Sequence, residues 1–209
     1  MPSVYQLKPA FQNLLRPLVN RLASRGVSAN QVTVLAALLS MGAGGTVALW
    51  HPLRWPLLLI PVALFIRMAL NAIDGMLARE HSMKTTLGEI LNELGDVISD
   101  AALYLPFGLI PGIHGYLVVP VVILAIISEL AGVLGATTGQ RRYEGPMGKS
   151  DRAVVFATLA LILTFRSIPS LWLDGVWISL LGLLVVTIMN RIRQTLLEQK
   201  SHDLDAASS

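Results

Sequence analysis

The chain has 209 residues, 54% of them hydrophobic and only 14% charged, with no cysteine and a formal net charge of +3. Soluble domains carry about 25% charged residues, so this chain lacks the polar side chains to coat a water-facing surface. An ordinary soluble enzyme, a disordered chain and a coiled coil are excluded, as are disulfides, thiolate metal sites and cysteine nucleophiles. What is left is a membrane protein.

Residues 1–25 carry apolar side chains at Val4, Leu7, Phe11, Leu14, Leu15, Leu18, Val19 and Leu22, with Lys8, Arg16, Arg21 and Arg25 between them. That spacing is one helix face, and it predicts an interfacial amphipathic segment whose basic face meets anionic headgroups. Pro9 and Pro17 are expected to interrupt it. A signal peptide would need a continuous apolar run instead. Residues 26–200 form the main domain, with apolar segments at 31–50, 55–79, 87–112, 115–139, 152–168 and 171–193. Each meets or nears the roughly 20 residues that a helix needs to cross the hydrocarbon. The fold class expected is an all-α integral membrane protein of six transmembrane helices preceded by the interfacial helix, with a disordered tail at 201–209.

Lysine and arginine set the orientation. With the N-terminus inside, Lys8, Arg16, Arg21, Arg25, Arg79, Lys84, Arg141, Arg142, Lys149, Arg152, Arg191, Arg193 and Lys200 all fall on the inner side. Arg54 and Arg166 fall outside. The expected location is the cell's inner membrane, with both termini cytoplasmic.

Ionisable side chains inside the spans are costly and usually functional. The second span holds Arg67, Asn71 and Asp74; the third holds Glu89, Asn92, Glu93, Asp96 and Asp100; the fourth holds Glu129. At about 100° per residue, Arg67, Asn71, Asp74 and Ala78 share one helix face, and Asn92, Asp96 and Asp100 form a row on the next. An antiparallel pair joined by a short inner loop turns these faces together. Clustered acids raise one another's pKa or take up a cation, and an all-oxygen donor set suits Mg2+ or Mn2+. Folding back about a turn near residue 83 also places Asp100 opposite Arg67. The two are expected to pair beneath the acids, with Glu129 the rival partner.

The segment reads Asn71-Ala-Ile-Asp74-Gly75-Met-Leu-Ala78-Arg79, then, after eight residues, Gly88-Glu-Ile-Leu-Asn92-Glu-Leu-Gly-Asp96. It resembles the signature of the CDP-alcohol phosphatidyltransferases, D-x2-D-G-x2-A-R-x8-G-x3-D-x3-D. Asp74, Gly75, Ala78, Arg79, Gly88 and Asp96 match it in type and spacing. The resemblance implies attack of an alcohol on the β-phosphorus of CDP-diacylglycerol with release of CMP, at a cytoplasmic active site. It further implies metal binding at positions 71, 74, 92 and 96, with Asp96 as general base, Gly75 close to the nucleotide and Arg79 on phosphate oxygens. The family's four acids hold two divalent cations. Here the first and third acids are Asn71 and Asn92, which still offer a carbonyl oxygen but no charge. Glu89, Glu93 and Asp100 stand close enough to compensate in part. A catalytically weakened or non-catalytic lipid- or nucleotide-binding protein of the same fold is the alternative that this departure leaves open.

Ser28-Ala-Asn30-Gln-Val-Thr33 looks like the family's segment leading to the cytidine pocket, which brings Asn30 and Thr33 into the substrate site. Ser28 or Asn30 as a helix cap is the simpler reading. Arg141, Arg142, Lys149 and Arg152 surround the start of the fifth span, where a helix N-terminus and cations can bind an anion; a phosphorylated acceptor could sit there, or the charges could serve topology alone. A membrane prenyltransferase lacks the Asp-Gly-x2-Ala-Arg element, and a transporter usually shows repeated halves. The expected partners are CDP-diacylglycerol, an alcohol acceptor of unspecified identity and the lipid bilayer. No nucleic acid is expected, and the resemblance suggests a homodimer.

Overall fold

The computed structural model describes the backbone of residues 4–208 and the side chains of 9–136 and 139–200. The fold is all-helical, with no strand among the described residues. Seven α-helices run in order: α1 (Val4–Ser24), α2 (Ala29–Leu49), α3 (Leu59–Glu80), α4 (Thr86–Tyr104), α5 (Gly115–Thr138), α6 (Lys149–Phe165) and α7 (Ser170–Ser208). Short 3-10 turns at Trp55–Leu58 and Leu105–Leu109 lead into α3 and out of α4.

Four of the described segments, Ala29–Leu49, Trp55–Glu80, Gly115–Ala136 and Ser170–Lys200, are long and apolar enough to cross a membrane, which makes the chain an integral membrane protein. The expected six spans reduce to four on this measure. The α4 helix ends at Tyr104 because Pro106 follows in a 3-10 turn, and its 19 residues hold four carboxylates at Glu89, Glu93, Asp96 and Asp100. The α6 helix has only 17 residues. Two other expectations change. The α1 helix passes unbroken through Pro9 and Pro17, since a proline deletes one backbone bond and the rest of the ladder can persist. The α7 helix continues through Ser208 where a disordered tail was expected; the tail contains neither glycine nor proline to stop it. The side chains of Lys8 and of 201–209 lie outside the described residues.

The chain divides into two compact units, residues 1–45 with 62–103, and residues 46–61 with 104–209. In the first, Val19 of α1 is fully buried against Ala29 and Val32 of α2 and Ile73, Met76 and Leu77 of α3. Arg16 is tied to Glu80 at 3.0 Å and to Asn13 at 2.6 Å rather than facing headgroups alone. That contact raises the Arg16 pKa above its ordinary value. The start of α2 is a capping box: the Gln31 N–H donates to Ser28 Oγ at 3.3 Å and the Ser28 N–H to Gln31 Oε1 at 2.9 Å. Both orphan donors are thereby satisfied.

Gly44 fixes the approach of α2 to α4. A Cβ there would overlap the carbonyl of Ala102, whereas one on Gly45 would meet nothing within 4 Å. Small residues at such crossings let backbones touch where lipid supplies no hydrophobic drive.

In the second unit an aromatic cluster joins α6, α7 and the turn after α4. Tyr104 stacks on Phe156 at 3.7 Å, and Phe107 meets Phe156 at 5.2 Å and Trp177 at 6.1 Å. His114, ahead of α5, contacts Asp174 of α7 at 2.7 Å.

The two glycines of α2 should therefore respond oppositely. Gly44→Ala forces α2 and α4 apart and should cost about 1–3 kcal/mol, the usual range for overpacking. Gly45→Ala should leave the apparent melting temperature in detergent unchanged or slightly higher. Equal losses in both variants would show that the crossing at Ala102 has no special role.

Candidate functional site

A polar cavity of about 410 Å³ opens among α2, α3, α4 and the 81–85 turn. Its wall includes Asn30 and Thr33 from α2, Asn71, Asp74, Gly75, Ala78 and Arg79 from α3, and Gly88, Asn92 and Glu93 from α4. Nine of the twelve residues singled out from the sequence as substrate-binding or metal-binding thus meet on one surface. Met83, Lys84 and Thr85 complete it. Sequence reasoning missed Thr85, whose Oγ1 accepts the Gly88 N–H at 2.9 Å and so starts α4.

The glycines are explained by crowding. A Cβ on Gly88 would come within 2.5 Å of Asn30 Oδ1, so this glycine lets the start of α2 close on α4. A Cβ on Gly75 would meet the Arg79 guanidinium at 3.2 Å. The Arg79 head lies back over the preceding turn, and Gly75 makes the room for it. Thr33 Oγ1 donates to Asp74 Oδ2 at 2.8 Å, which fixes the rotamer of a carboxylate that is 6% exposed.

Beneath these groups Arg67 joins α3 to α4. Its Nη1 donates to Asp100 Oδ1 at 2.5 Å, and its Nη2 to Asp96 Oδ1 and the Asp96 carbonyl, both at 3.1 Å. Asn71 Nδ2 donates to the same Asp96 oxygen at 3.2 Å. The expected Arg67–Asp100 pair is present, and Asp96 shares the guanidinium. Asp96 lies below the cavity wall rather than on it, with its side chain 12% exposed. Glu89 is held by Lys84 at 2.9 Å.

Lys149 and Arg152 are not on the cavity wall. Arg152 is buried in the second unit, where it donates to Glu129 Oε1 at 2.8 Å and to the Met147 carbonyl at 3.2 Å. Arg141 and Arg191 each approach Glu129 to 3.6 Å, and Arg191 also donates to the Ser128 carbonyl. Glu129, the rival partner for Arg67, instead anchors three arginines. Arg191 enters because Gly132 leaves space: a Cβ there would stand 3.0 Å from Arg191 Nη1. The sequence shows Arg191 only as one inner-side charge among many.

The donors at the four signature positions are hard oxygens, two carboxylates at Asp74 and Asp96 and two amides at Asn71 and Asn92. They fit a magnesium-class cation in chemistry, although no group of three or more acidic, histidine or cysteine side chains gathers into a metal site among the described residues.

Removing one partner of a buried ion pair usually costs about 3–5 kcal/mol, because the other charge is left alone. Arg67→Met should therefore fold poorly, and adding Asp100→Leu should restore much of the yield of monodisperse protein. No recovery in the double variant would assign the loss to Asp96 rather than to Asp100.

The sequence profile of the CDP-alcohol phosphatidyltransferases matches residues 27–189. The chain is 46% identical over 197 residues to the inner membrane protein YnbA of Escherichia coli K12, covering 93% of this chain and 97% of that one. Its fold is that of phosphatidylinositol phosphate synthase (PgsA1) of Mycobacterium tuberculosis. The structure of that enzyme in complex with manganese and citrate superimposes with a TM-score of 0.70 at 20% identity, covering 86% of this chain and 88% of that one. The same enzyme with CDP-DAG bound gives 0.67 at 19% identity, covering 88% and 92%. By the extent of the profile match and the close relative, this chain belongs to the CDP-alcohol phosphatidyltransferase family.

Proposed function

We propose that the protein transfers a phosphatidyl group from CDP-diacylglycerol to an alcohol and releases CMP. The observation that carries this reading is the cavity wall, where Asp74, Gly75, Ala78, Arg79 and Gly88 of the signature face Asn30 and Thr33 of α2. Asn30 and Thr33 are assigned to the nucleotide, and Arg79 to phosphate oxygens, which a guanidinium binds in a forked geometry. Asp74, with the amide oxygen of Asn92, is the group to hold Mg2+ or Mn2+, which would offset charge on the pyrophosphate. The acceptor oxygen attacks the β-phosphorus, and the bond from that phosphorus to the bridging oxygen breaks. CMP leaves with the bridging oxygen, and the hydroxyl proton passes to the Asp96 carboxylate. The Arg67 clamp supports this role by fixing the position of Asp96.

The acceptor is assigned to the class of alcohols that carry an anionic group. The sequence supports this, since Arg141, Arg142, Lys149 and Arg152 gather before and within the first turn of α6, and cations at a helix N-terminus suit an anion. Six membrane crossings, with both termini and the site on the cytoplasmic side of the inner membrane, and a homodimeric assembly complete the proposal. They are supported by the distribution of lysine and arginine and by family membership.

Purified protein with Mg2+ or Mn2+ should release CMP from CDP-diacylglycerol when given the right alcohol. Asp96→Asn should lower turnover by at least about a hundredfold, as removal of a general base typically does, and Asp74→Asn should lower it by loss of the metal's carboxylate. Arg141→Gln and Lys149→Ala should raise the KM for a phosphorylated acceptor much more than that for CDP-diacylglycerol. Absence of CMP release across a broad acceptor panel would favour a non-catalytic binding role. Equal effects on both substrates would return the arginines to topology.

A further inference from the structure

We infer that this chain binds one divalent cation where the family signature provides for two, and that the hydrogen bonds from Arg67 and Asn71 to Asp96 stand in place of the second. The inference rests on the transferase reading for the location of the site. It is carried by how the donors are already committed.

The first observation is at Asp96. Its Oδ1 accepts from Arg67 Nη2 at 3.1 Å and from Asn71 Nδ2 at 3.2 Å. A metal shared between positions 71 and 96 would need an oxygen from each. Here position 71 presents an N–H to position 96, because an amide oxygen turned that way would face a carboxylate oxygen with no proton between them. Two N–H donors thus occupy the carboxylate oxygen that faces residue 71.

The second observation is the charge count. Arg67 cancels one of Asp74, Asp96 and Asp100, leaving a net of about −2 from those three acids. Glu89 is neutralised by Lys84 at 2.9 Å, and Glu93 and Arg79 contribute one charge of each sign to the cavity wall. A net of −2 balances one divalent ion. Four acids at positions 71, 74, 92 and 96, with Arg67 and Asp100 cancelling each other, would balance two. Asp74 and Asn92, both on the cavity wall, are the side that keeps the ion. Asp96, below the wall and bonded to Arg67 and Asn71, is the side that loses it.

The two sides can be counted directly. Full-length protein in detergent is titrated with Mn2+, and bound ions are counted from the loss of the free-ion EPR signal. The wild type should bind one Mn2+ per chain, displaced by Mg2+, and Asp74→Asn should bind none. Asn71→Asp with Asn92→Asp should bind two. Asn71→Asp with Asn92→Glu, which adds the same two charges, serves if the double aspartate variant does not fold, and it too should bind two. Two ions in the wild type, or none, would overturn the inference. So would a single ion in both double variants, since the asparagines would then not be what excludes the second ion. CMP release measured on the same samples separates the two readings. One ion without CMP release refutes the transferase and leaves the stoichiometry standing; two ions with CMP release does the reverse.

Discussion

The clamp made by Arg67 is the interaction on which the rest of the site depends. A guanidinium and several carboxylates in an apolar setting are each expensive alone. Together they are tolerable, because the guanidinium spans Asp96 and Asp100, one turn apart on α4. The span sets the register of α3 against α4. Once that register is fixed, Asn71 is level with Asp96, and Asp74 and Asn92 are both on the wall of the cavity above. The binding chemistry is therefore built on a floor that is itself an ion-pair network.

Small residues complete the arrangement on the α2 side. Gly44 lets the backbone of α2 meet Ala102, and Gly88 lets Asn30 meet the beginning of α4. Between these two contacts Thr33 reaches Asp74. A larger side chain at either glycine would move α2 outward and take Thr33 with it. The signature glycine at 88 thus acts through helix packing, and the one at 75 through room for Arg79, rather than through any special backbone conformation.

Much of the site was legible in the sequence because helices convert spacing into direction. Residues 71, 74, 92 and 96 fell on facing surfaces, and the same reflection located Asp100 opposite Arg67. That Arg67 also takes Asp96 was not legible, since it depends on the reach of a forked side chain and not on periodicity. The cluster around Glu129 was hidden for a different reason. Arg191 and Glu129 lie far apart in sequence, and the close approach at Gly132 that brings them together leaves no periodic mark. The third apolar segment was drawn too long, because hydropathy runs on through Leu105–Leu109 although Pro106 had already ended the helix. The continuity of α1 through two prolines shows the opposite error, in which local propensity was given more weight than the burial of Val19.

The polarity of α4 bears on how the protein reaches its membrane. Unlike its neighbours α2 and α3, it is not among the segments apolar enough to partition by themselves. Asp96 and Asp100 become acceptable to lipid when Arg67 is beside them, and Arg67 is carried by the segment synthesised just before. The two helices are thus suited to leave the insertion machinery as a hairpin, with α3 waiting for its partner. Assembly of the ion-pair floor and integration into the bilayer then become a single event during biosynthesis.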